Sequence, residues 1–427
     1  MHNSSMNKIM PEKAIKRLHR IIVELIPHIE KSCTIENKAA DNELSKWFRN
    51  KKELGSRDRR LISTAVFQYF RWYGWTRIKL NVSFDQALLL SAKLEEDESS
   101  QWSAYLAGIT NSNIMLSMGA MSISEKLNEI NKIFKTTLTL LDLVPPSTCQ
   151  HISKEIILLC MESFQRRPPP WLRLRSDNKD FRKILLNENI KQSLNNFLPH
   201  AMSIKSGINL NIALNKHQGK FGIQDLSSQC VGLICAPSEG DSWWDCCAGS
   251  GGKTFHLADI MKQEGFILAS DSRQNSLNEL KKKSRVYGTK IIRTKMINMM
   301  SPHSNTKDFD GVLVDAPCSG WGTWGRNPDA RWRPSSINIS ACTKTQMILI
   351  KNAAEAVKLN GVLVYAVCTI TQQETTDVIN KFLESHQNFS LDPFMNPLDQ
   401  ELTSGMHQIL PTTIHNGMFI SRMKRIT

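Results

Sequence analysis

Two short stretches carry residues able to do chemistry together. "DAPCSGWGTWGRNPDARWR" runs from Asp315 to Arg333, and "YAVCTI" runs from Tyr365 to Ile370. Each sets a cysteine, Cys318 or Cys368, just past a short apolar run. The thiolate is the nucleophilic form, and a free thiol is only a few per cent ionised near neutrality. A reactive cysteine therefore needs a polar, partly positive site, and Lys253 and nearby helix N-termini are the candidates to supply one. On residue types alone four readings stay open: core filler, a metal pair, a disulfide, or two halves of one reaction. Neither thiol has a CxxC partner or a histidine at ligand spacing, so a metal centre is not expected.

A third stretch, "DCCAGSGGKT" (Asp245–Thr254), combines glycines at 249, 251 and 252 with the start of a helix. Glycines let the backbone approach a ligand closely, and a helix N-terminus offers unpaired N–H groups. The spacing is not that of a phosphate loop. Asp271 closes "FILASD" roughly 20 residues further on, where a carboxylate can accept hydrogen bonds from ribose hydroxyls. A nucleoside cofactor is the expectation, with a plain helix cap at Asp271 as the alternative.

These residues need a scaffold that brings strand ends together. "DSWWDC", "GFILASD", "FDGVLVDAP" and "NGVLVYAVC" are short apolar runs, each ending in a polar or small-residue loop. "NSLNELKKKSRV" and "TKTQMILIKNAAEAVKLN" separate them as helices. Buried parallel strands have this pattern, which predicts an α/β doubly wound sheet over residues 237–427. Ligands of such sheets lie beyond the carboxyl ends of the strands, where both cysteines fall.

Upstream, apolar residues recur at helical spacing from about Ala14 to Asp142, predicting an all-α domain over 1–145. "LVPPST" and "RRPPPW" punctuate the chain, and "WLRLR" (Trp171–Arg175) alternates like a strand, so 146–236 is expected to be a small α+β segment. Lys46, Arg49, Lys51, Lys52, Arg57, Arg59, Arg60, Arg71, Arg77 and Lys79 face only Glu53 and Asp58 between residues 45 and 80. That predicts a basic helical face suited to RNA phosphates, or a plain solvated surface. The whole chain of 427 residues carries 54 Lys+Arg against 40 Asp+Glu, a net charge of +14, which favours a polyanionic partner. Ten cysteines are few for a disulfide framework, so free thiols in a reducing, cytoplasmic setting are expected. The first residues lack a signal-peptide pattern, and the uncharged stretch Trp102–Ser124 is too polar for a membrane span, predicting a buried helix or helix pair.

Taken together, "DAPCSGWGTWGRNPDARWR", "YAVCTI", "DCCAGSGGKT", "FGIQDLSSQ" (Phe221–Gln229) and "NGMFISRMKR" (Asn416–Arg425) resemble the RsmB/Sun family of RNA cytosine-5 methyltransferases from about residue 165 onward. "GSRDRRLISTAVFQYFR" (Gly55–Arg71) is similar to the NusB-like domain of bacterial members. The resemblance implies a class I, Rossmann-like methyltransferase domain, S-adenosylmethionine as cofactor and RNA as partner, with a monomer acting away from membranes. It implies that Cys368 attacks C6 of a cytosine and that Asp315 holds the base near N3. Lys253 would position the ring or raise the thiolate fraction, and Cys318 would help lose the C5 proton or release Cys368. Cys247, Ala248, Gly249, Ser250, Gly251, Gly252 and Lys253 would line the cofactor, with Asp315 beside it and Asp271 on its ribose.

Two positions depart from the family. Ser250 stands where members usually carry proline. The aspartate that commonly contacts the adenine amine is replaced in "RTKMINMMS" by Met296 without a gap, or by Asn298 after a small shift. Trp321, Trp324 and Trp332 with Arg326, Arg331 and Arg333 could stack on an unpaired base or wedge their loop against the protein. Gln224 and Asp225 are expected to orient the loop or the cofactor. Ribosomal RNA is the expected substrate and transfer RNA the second. A DNA cytosine methyltransferase and a noncatalytic ribosome-assembly factor are the competing functions.

Overall fold

The computed structural model describes residues 10–95, 101–110, 118–175, 179–187, 190, 192–194, 198–204, 214–301 and 308–427. It divides into two compact units: Met1–Arg167 with Trp324–Ser335, and Pro168–Thr323 with Ser336–Thr427. No helix among the described residues is long and apolar enough to cross a membrane.

The first unit is helical: α1 (Glu12–Thr34), α2 (Ala40–Arg49), α3 (Ser56–Tyr73), α4 (Phe84–Glu95), α5 (Gln101–Ile109), α6 (Ile123–Phe134) and α7 (Lys154–Phe164). The buried positions of α1, from Ile15 and Leu18 through Ile22 to Ile26 and Ile29, recur every three or four residues, which places one face on the core. The uncharged stretch provides α5 and the start of α6, whereas residues 111–117 lie outside the described residues.

Part of the expected basic face is spent inside this unit. Arg71 is buried, pairs with Glu95 at 2.8 Å and donates to Gly325 O. Arg59 donates to Lys51 O and Leu54 O, Arg77 to Val82 O, and Lys79 pairs with Asp142. Burial of a guanidinium needs such partners, and helical spacing alone could not show which cations had them.

The inserted loop residues Trp324–Ser335 are packed in this helical unit. Trp324 is fully buried against Phe164, and Arg331 donates to Leu143 O and Phe164 O. Trp332 Nε1 donates to Phe70 O, and Asp329 accepts from Ala40 N and Arg333. Trp324, Arg331 and Trp332 thus wedge their loop, and the base-stacking alternative does not hold for them. Trp321, in the other unit, is also buried.

The second unit opens with β1 (Trp171–Leu174), α8 (Lys179–Asn187), β2 (Gln192–Leu194), β3 (Ala201–Ile204) and β4 (Phe221–Ile223), an antiparallel sheet in the order β2-β3-β1-β4. The alternation of "WLRLR" does two jobs. Leu172 and Leu174 enter the small core with Phe181, while Arg173 and Arg175 pair with Asp259 at 2.6 and 2.7 Å. The chain continues through α9 (Leu226–Cys235), β5 (Ser242–Asp245), α10 (Gly252–Ile260), β6 (Phe266–Asp271), α11 (Gln274–Tyr287), β7 (Ile292–Met296) and β8 (Phe309–Asp315). It ends with α12 (Ser335–Ala354), β9 (Val357–Val367), α13 (Thr376–Ser385), β10 (Phe389–Leu391), β11 (Met406–Ile409) and β12 (Met418–Arg425).

The large sheet runs β10-β12-β9-β8-β5-β6-β7, with β11 paired to β12. The five strands from β9 to β7 are mutually parallel, and β12 lies antiparallel against β9. This is the Rossmann-like methyltransferase fold, and its order reverses direction between β5 and β8. Trp243 and Trp244 enter opposite hydrophobic layers, as adjacent strand residues must. Gly311 of β8 makes room for Trp243, since a Cβ there would stand 2.2 Å from the indole.

One boundary differs from expectation. The helical run predicted to reach Asn360 ends at Ala354, because Val357 pairs with Phe309 and starts β9.

Candidate active site

The parallel strands β5, β6, β8 and β9 end at a common edge, and a cleft of about 770 Å³ opens there. The catalytic and cofactor residues that the resemblance implies, except Gly251, line this cleft, as does Asn298. Gly251 has φ +92° at the start of α10, and a Cβ would stand 2.6 Å from Phe255 and 2.9 Å from Leu280. It lets the helix close onto its neighbours. Gly252 differs: a Cβ there would meet nothing within 4 Å.

At the end of β8, Asp315 Oδ2 accepts from Lys253 Nζ at 2.7 Å. Burial works against the charge of Lys253, but the Asp315 carboxylate outweighs it, followed by Cys368 and Asp245, and its pKa is raised. Cys318 Sγ lies 3.3 Å from Cys368 Sγ, although fifty residues separate them in sequence. No disulfide joins any of the ten cysteines. Two sulfurs this close cannot both ionise readily, so they share a proton. The Cys318 S–H bond holds the Cys368 pKa below that of an ordinary thiol, with Lys253 also lowering it against burial and Asp315. Cys318 is raised by the same pairing, then by burial and the charge of Glu374. The pairing therefore favours the thiolate at Cys368 over one at Cys318.

The loop after Cys318 is locked onto both flanking strands. Gly322 N donates to Cys368 O, and Gly417 N donates to Gly322 O. A Cβ at Gly322 would stand 2.8 Å from Gly417 O, so only glycine lets these chains approach. Asp225 caps α9 through Ser227 N and accepts from Asn416 N and Nδ2, tying "FGIQDLSSQ" to "NGMFISRMKR" at the cleft wall. Gln224 accepts from Arg173. Both orient loops, as expected.

Glu374 is the site residue that sequence reasoning missed. It is fully buried and accepts from Ser319 N at 2.8 Å, Gln346 Nε2 at 3.1 Å, Thr371 Oγ1 at 2.8 Å and Thr369 Oγ1 at 3.3 Å, as well as from Ser319 Oγ. Ser319 follows Cys318 and Thr369 follows Cys368, so one carboxylate holds both cysteine loops. A cluster of Thr369, Thr371 and Glu374 just past a buried strand was the available signal.

The glycine-loop side is built differently. Asp271 Oδ2 accepts from Gly249 N at 2.9 Å, and Oδ1 accepts from Arg273 N and Nε. Burial raises its pKa, but these donors outweigh burial and the carboxyl is held below its usual range. The residue at the start of α11 is Arg273, whose own side chain makes no cap, and Asp271 Oδ1 takes its backbone N–H. Asn298 lines the cleft and Met296 does not. Both adjacent cysteines line the cleft; Cys246 is the more buried, its Sγ donating to Leu313 O.

Residues 232–424 match the family described as 16S rRNA methyltransferase RsmB/F. A probable ribosomal RNA small subunit methyltransferase B from Synechocystis sp. is 36% identical over 215 residues, 49% of this chain and 48% of the relative. The chain thus spans about half the length of the first curated relatives it matches. The crystal structure of PH0851 superposes with a TM-score of 0.72 at 22% identity, covering 97% of this chain and 99% of that one. NSun6 from Pyrococcus horikoshii, crystallised with SFG, superposes at 0.56 and 16% identity, covering 65% of this chain and 96% of its own. With its parallel sheet and paired thiols, the chain is similar over residues 232–424 to the 16S rRNA methyltransferase RsmB/F family.

Proposed function

We propose that this chain transfers a methyl group from S-adenosylmethionine to C5 of a cytosine in RNA, ribosomal RNA first and transfer RNA second. The observation that carries the reading is the meeting of Cys318 with Cys368 at 3.3 Å and Lys253 with Asp315 at 2.7 Å in one cleft.

The residues present fit the cofactor. A cleft of about 770 Å³ suits a nucleoside-sized ligand. Asp271 offers carboxylate oxygens to a ribose diol, and its partner Arg273 is 70% exposed and able to swing aside. The backbone from Cys247 to Gly252 would border the nucleoside, and Asn298 would meet the adenine edge. S-adenosylmethionine supplies the electrophilic methyl group on its sulfonium. Within this reading, the helical residues up to 145 and the small segment 146–236 contribute RNA contacts to the catalytic residues 237–427.

The cytosine ring is a poor nucleophile at C5 until a thiolate adds to C6. Cys368 makes that bond; the C5=C6 π bond opens and its electron pair moves toward N3. Asp315, paired with Lys253, holds a proton against N3 as charge develops there. C5 then acts as an enamine carbon and takes the methyl group. Release reverses the addition: the C5 proton leaves to solvent, the C5=C6 bond re-forms, and the C6–S pair returns to Cys368. The N3 proton returns to the Lys253–Asp315 pair. The S–H of Cys318, already directed at Cys368, receives the departing sulfur by hydrogen bond.

Incubation with cofactor and RNA, followed by denaturing electrophoresis, tests the scheme. Cys318→Ala is expected to accumulate a denaturant-resistant RNA complex, and Cys368→Ala to form none. The reverse pattern would transfer the nucleophile's role to Cys318, as in a DNA-type enzyme. No complex and no methyl transfer would leave a binding factor.

A further inference from the structure

Away from the active-site cleft, a second groove of about 670 Å³ runs between the last turns of α11 and the outer strand β7. Lys281, Arg285, Lys290 and Arg293 line it, and all four are exposed. Lys282 and Lys295 stand exposed nearby, and between residues 279 and 295 the only acidic residue is Glu279. Lys281 and Arg285 share one helix face at i, i+4 spacing, so their charges repel and a local ion-pair role is excluded. Among the described residues none of the four joins an ion pair; Arg293 donates only to the carbonyls of Lys290 and Ile292.

A helix C-terminus ordinarily repels anions. Here the carbonyls of the last turn have donors: Ser284 O receives Thr289 N, Arg285 O receives Gly288 N, and Tyr287 O receives Arg175. That leaves the cations to set the potential of the groove. β7 is an edge strand of the sheet, so its outer side is open to a ligand. The same strand leads onward to Ile297 and Asn298 in the cleft wall. From Ile292 to Asn298 an extended chain spans at most about 20 Å, the reach of about three nucleotides.

We propose that this groove binds the phosphate backbone of the substrate RNA beside the segment entering the active site. The inference rests on the RNA-methylating reading above. Phosphate contacts of this kind give register and affinity without sequence information.

The test is a full-length charge-reversed variant, Lys281→Glu/Arg285→Glu/Lys290→Glu/Arg293→Glu, beside the matching set of glutamine substitutions. Equilibrium binding of a structured ribosomal RNA fragment is measured from low to high salt, with circular dichroism and melting reporting on the fold. Removing one cation that neutralises a phosphate lowers the slope of log K against log salt by about 0.7 to 0.9. The glutamine set is expected to lower the slope by about 3–4 and to weaken binding at least roughly tenfold at physiological salt. The KM for long RNA should rise while kcat holds. An unchanged slope and KM in both folded variants would overturn the inference. So would an equal loss of affinity for polyglutamate, which would assign the groove to acidic protein segments. The binding measurement does not depend on turnover: if the wild-type chain transfers no methyl group yet loses RNA affinity in these variants, the groove stands and the proposed reaction falls.

Discussion

Replacing Glu374 should separate geometry from charge at the paired thiols. In Glu374→Ala the hydroxyls of Ser319, Thr369 and Thr371 can turn toward one another, since Ser319 Oγ already lies 2.9 Å from Thr369 Oγ1. The Ser319 N–H loses its acceptor outright, and the Gln346 amide keeps only Pro317 O, leaving its other N–H stranded. Each stranded buried donor costs about 1–3 kcal/mol, so the alanine variant should lose about 2–6 kcal/mol of stability. Glu374→Gln keeps one oxygen for those two donors and offers its NH₂ to three hydroxyls that can accept. Its loss should stay near about 1 kcal/mol.

Catalysis should split the same way. Ser319 N–H fixes the residue next to Cys318, and a displacement of about 1 Å at a reacting group costs on the order of 10²-fold in rate. The alanine variant should lose about that factor in kcat with little change in KM, and the glutamine variant should recover most of it. Urea denaturation followed by near-UV circular dichroism gives the stability, and single-turnover formation of the RNA–protein complex gives the rate. Wild-type stability and turnover in Glu374→Ala would refute the positioning argument. A glutamine variant as impaired as alanine would show that the negative charge, not the hydrogen-bond geometry, is what the site requires.

Other consequences follow from the same cleft. Because the Cys368 pKa is lowered and the proposed addition to C6 uses its thiolate, adduct formation should rise with pH through a midpoint below that of an ordinary thiol. Cys318→Ala and Lys253→Met each remove a lowering influence, so both should move that midpoint upward in a rate–pH profile; an unmoved midpoint contradicts the assignment. Asp245 is buried with Oδ1 unpartnered, and burial pushes it up to about 7. The folded state then holds a proton that the unfolded chain has released, so stability falls as pH rises from about 4 to 7, by about 4 kcal/mol in all. Asp245→Asn should flatten that slope in denaturation at several pH values. Asp271→Ala should weaken cofactor binding about 10–100-fold by calorimetry, the worth of one or two hydrogen bonds to a charged group, and equal affinity would remove Asp271 from the ribose.

Strand ends were legible because a parallel strand announces itself: apolar on both faces, then abruptly polar. That pattern put Asp245, Asp271, Asp315 and Cys368 at ends before any coordinates, and the sheet order then set them side by side. Partnership was not legible. Arg71 and Arg331 have the composition of RNA contacts, yet each is consumed by carbonyls or a carboxylate contributed from distant segments. Met296 against Asn298 could not be decided from one chain. The pairing of Asp271 with Met296 at the end of β7 leaves Asn298 two residues beyond, in the loop facing the cleft. Glu374 was invisible for a related reason: its donors come from three separate segments, and no spacing rule connects them.

The two thiols are chemically identical in sequence and unequal in place, and the inequality has a direction. Lys253 reaches the site from the first turn of α10, and its charge acts on Cys368. Glu374 reaches it from the turn before α13, and its charge acts on Cys318. A single proton shared across 3.3 Å must settle between a sulfur near an ammonium and a sulfur near a carboxylate. The ammonium favours an anion at Cys368 against burial and the Asp315 carboxylate, and the Glu374 carboxylate disfavours one at Cys318. With the thiol–thiol hydrogen bond, the largest influence on both sulfurs, these charges favour the anion at Cys368, and in the proposed reaction Cys318 would hold the proton that its partner needs when the bond to the ring breaks.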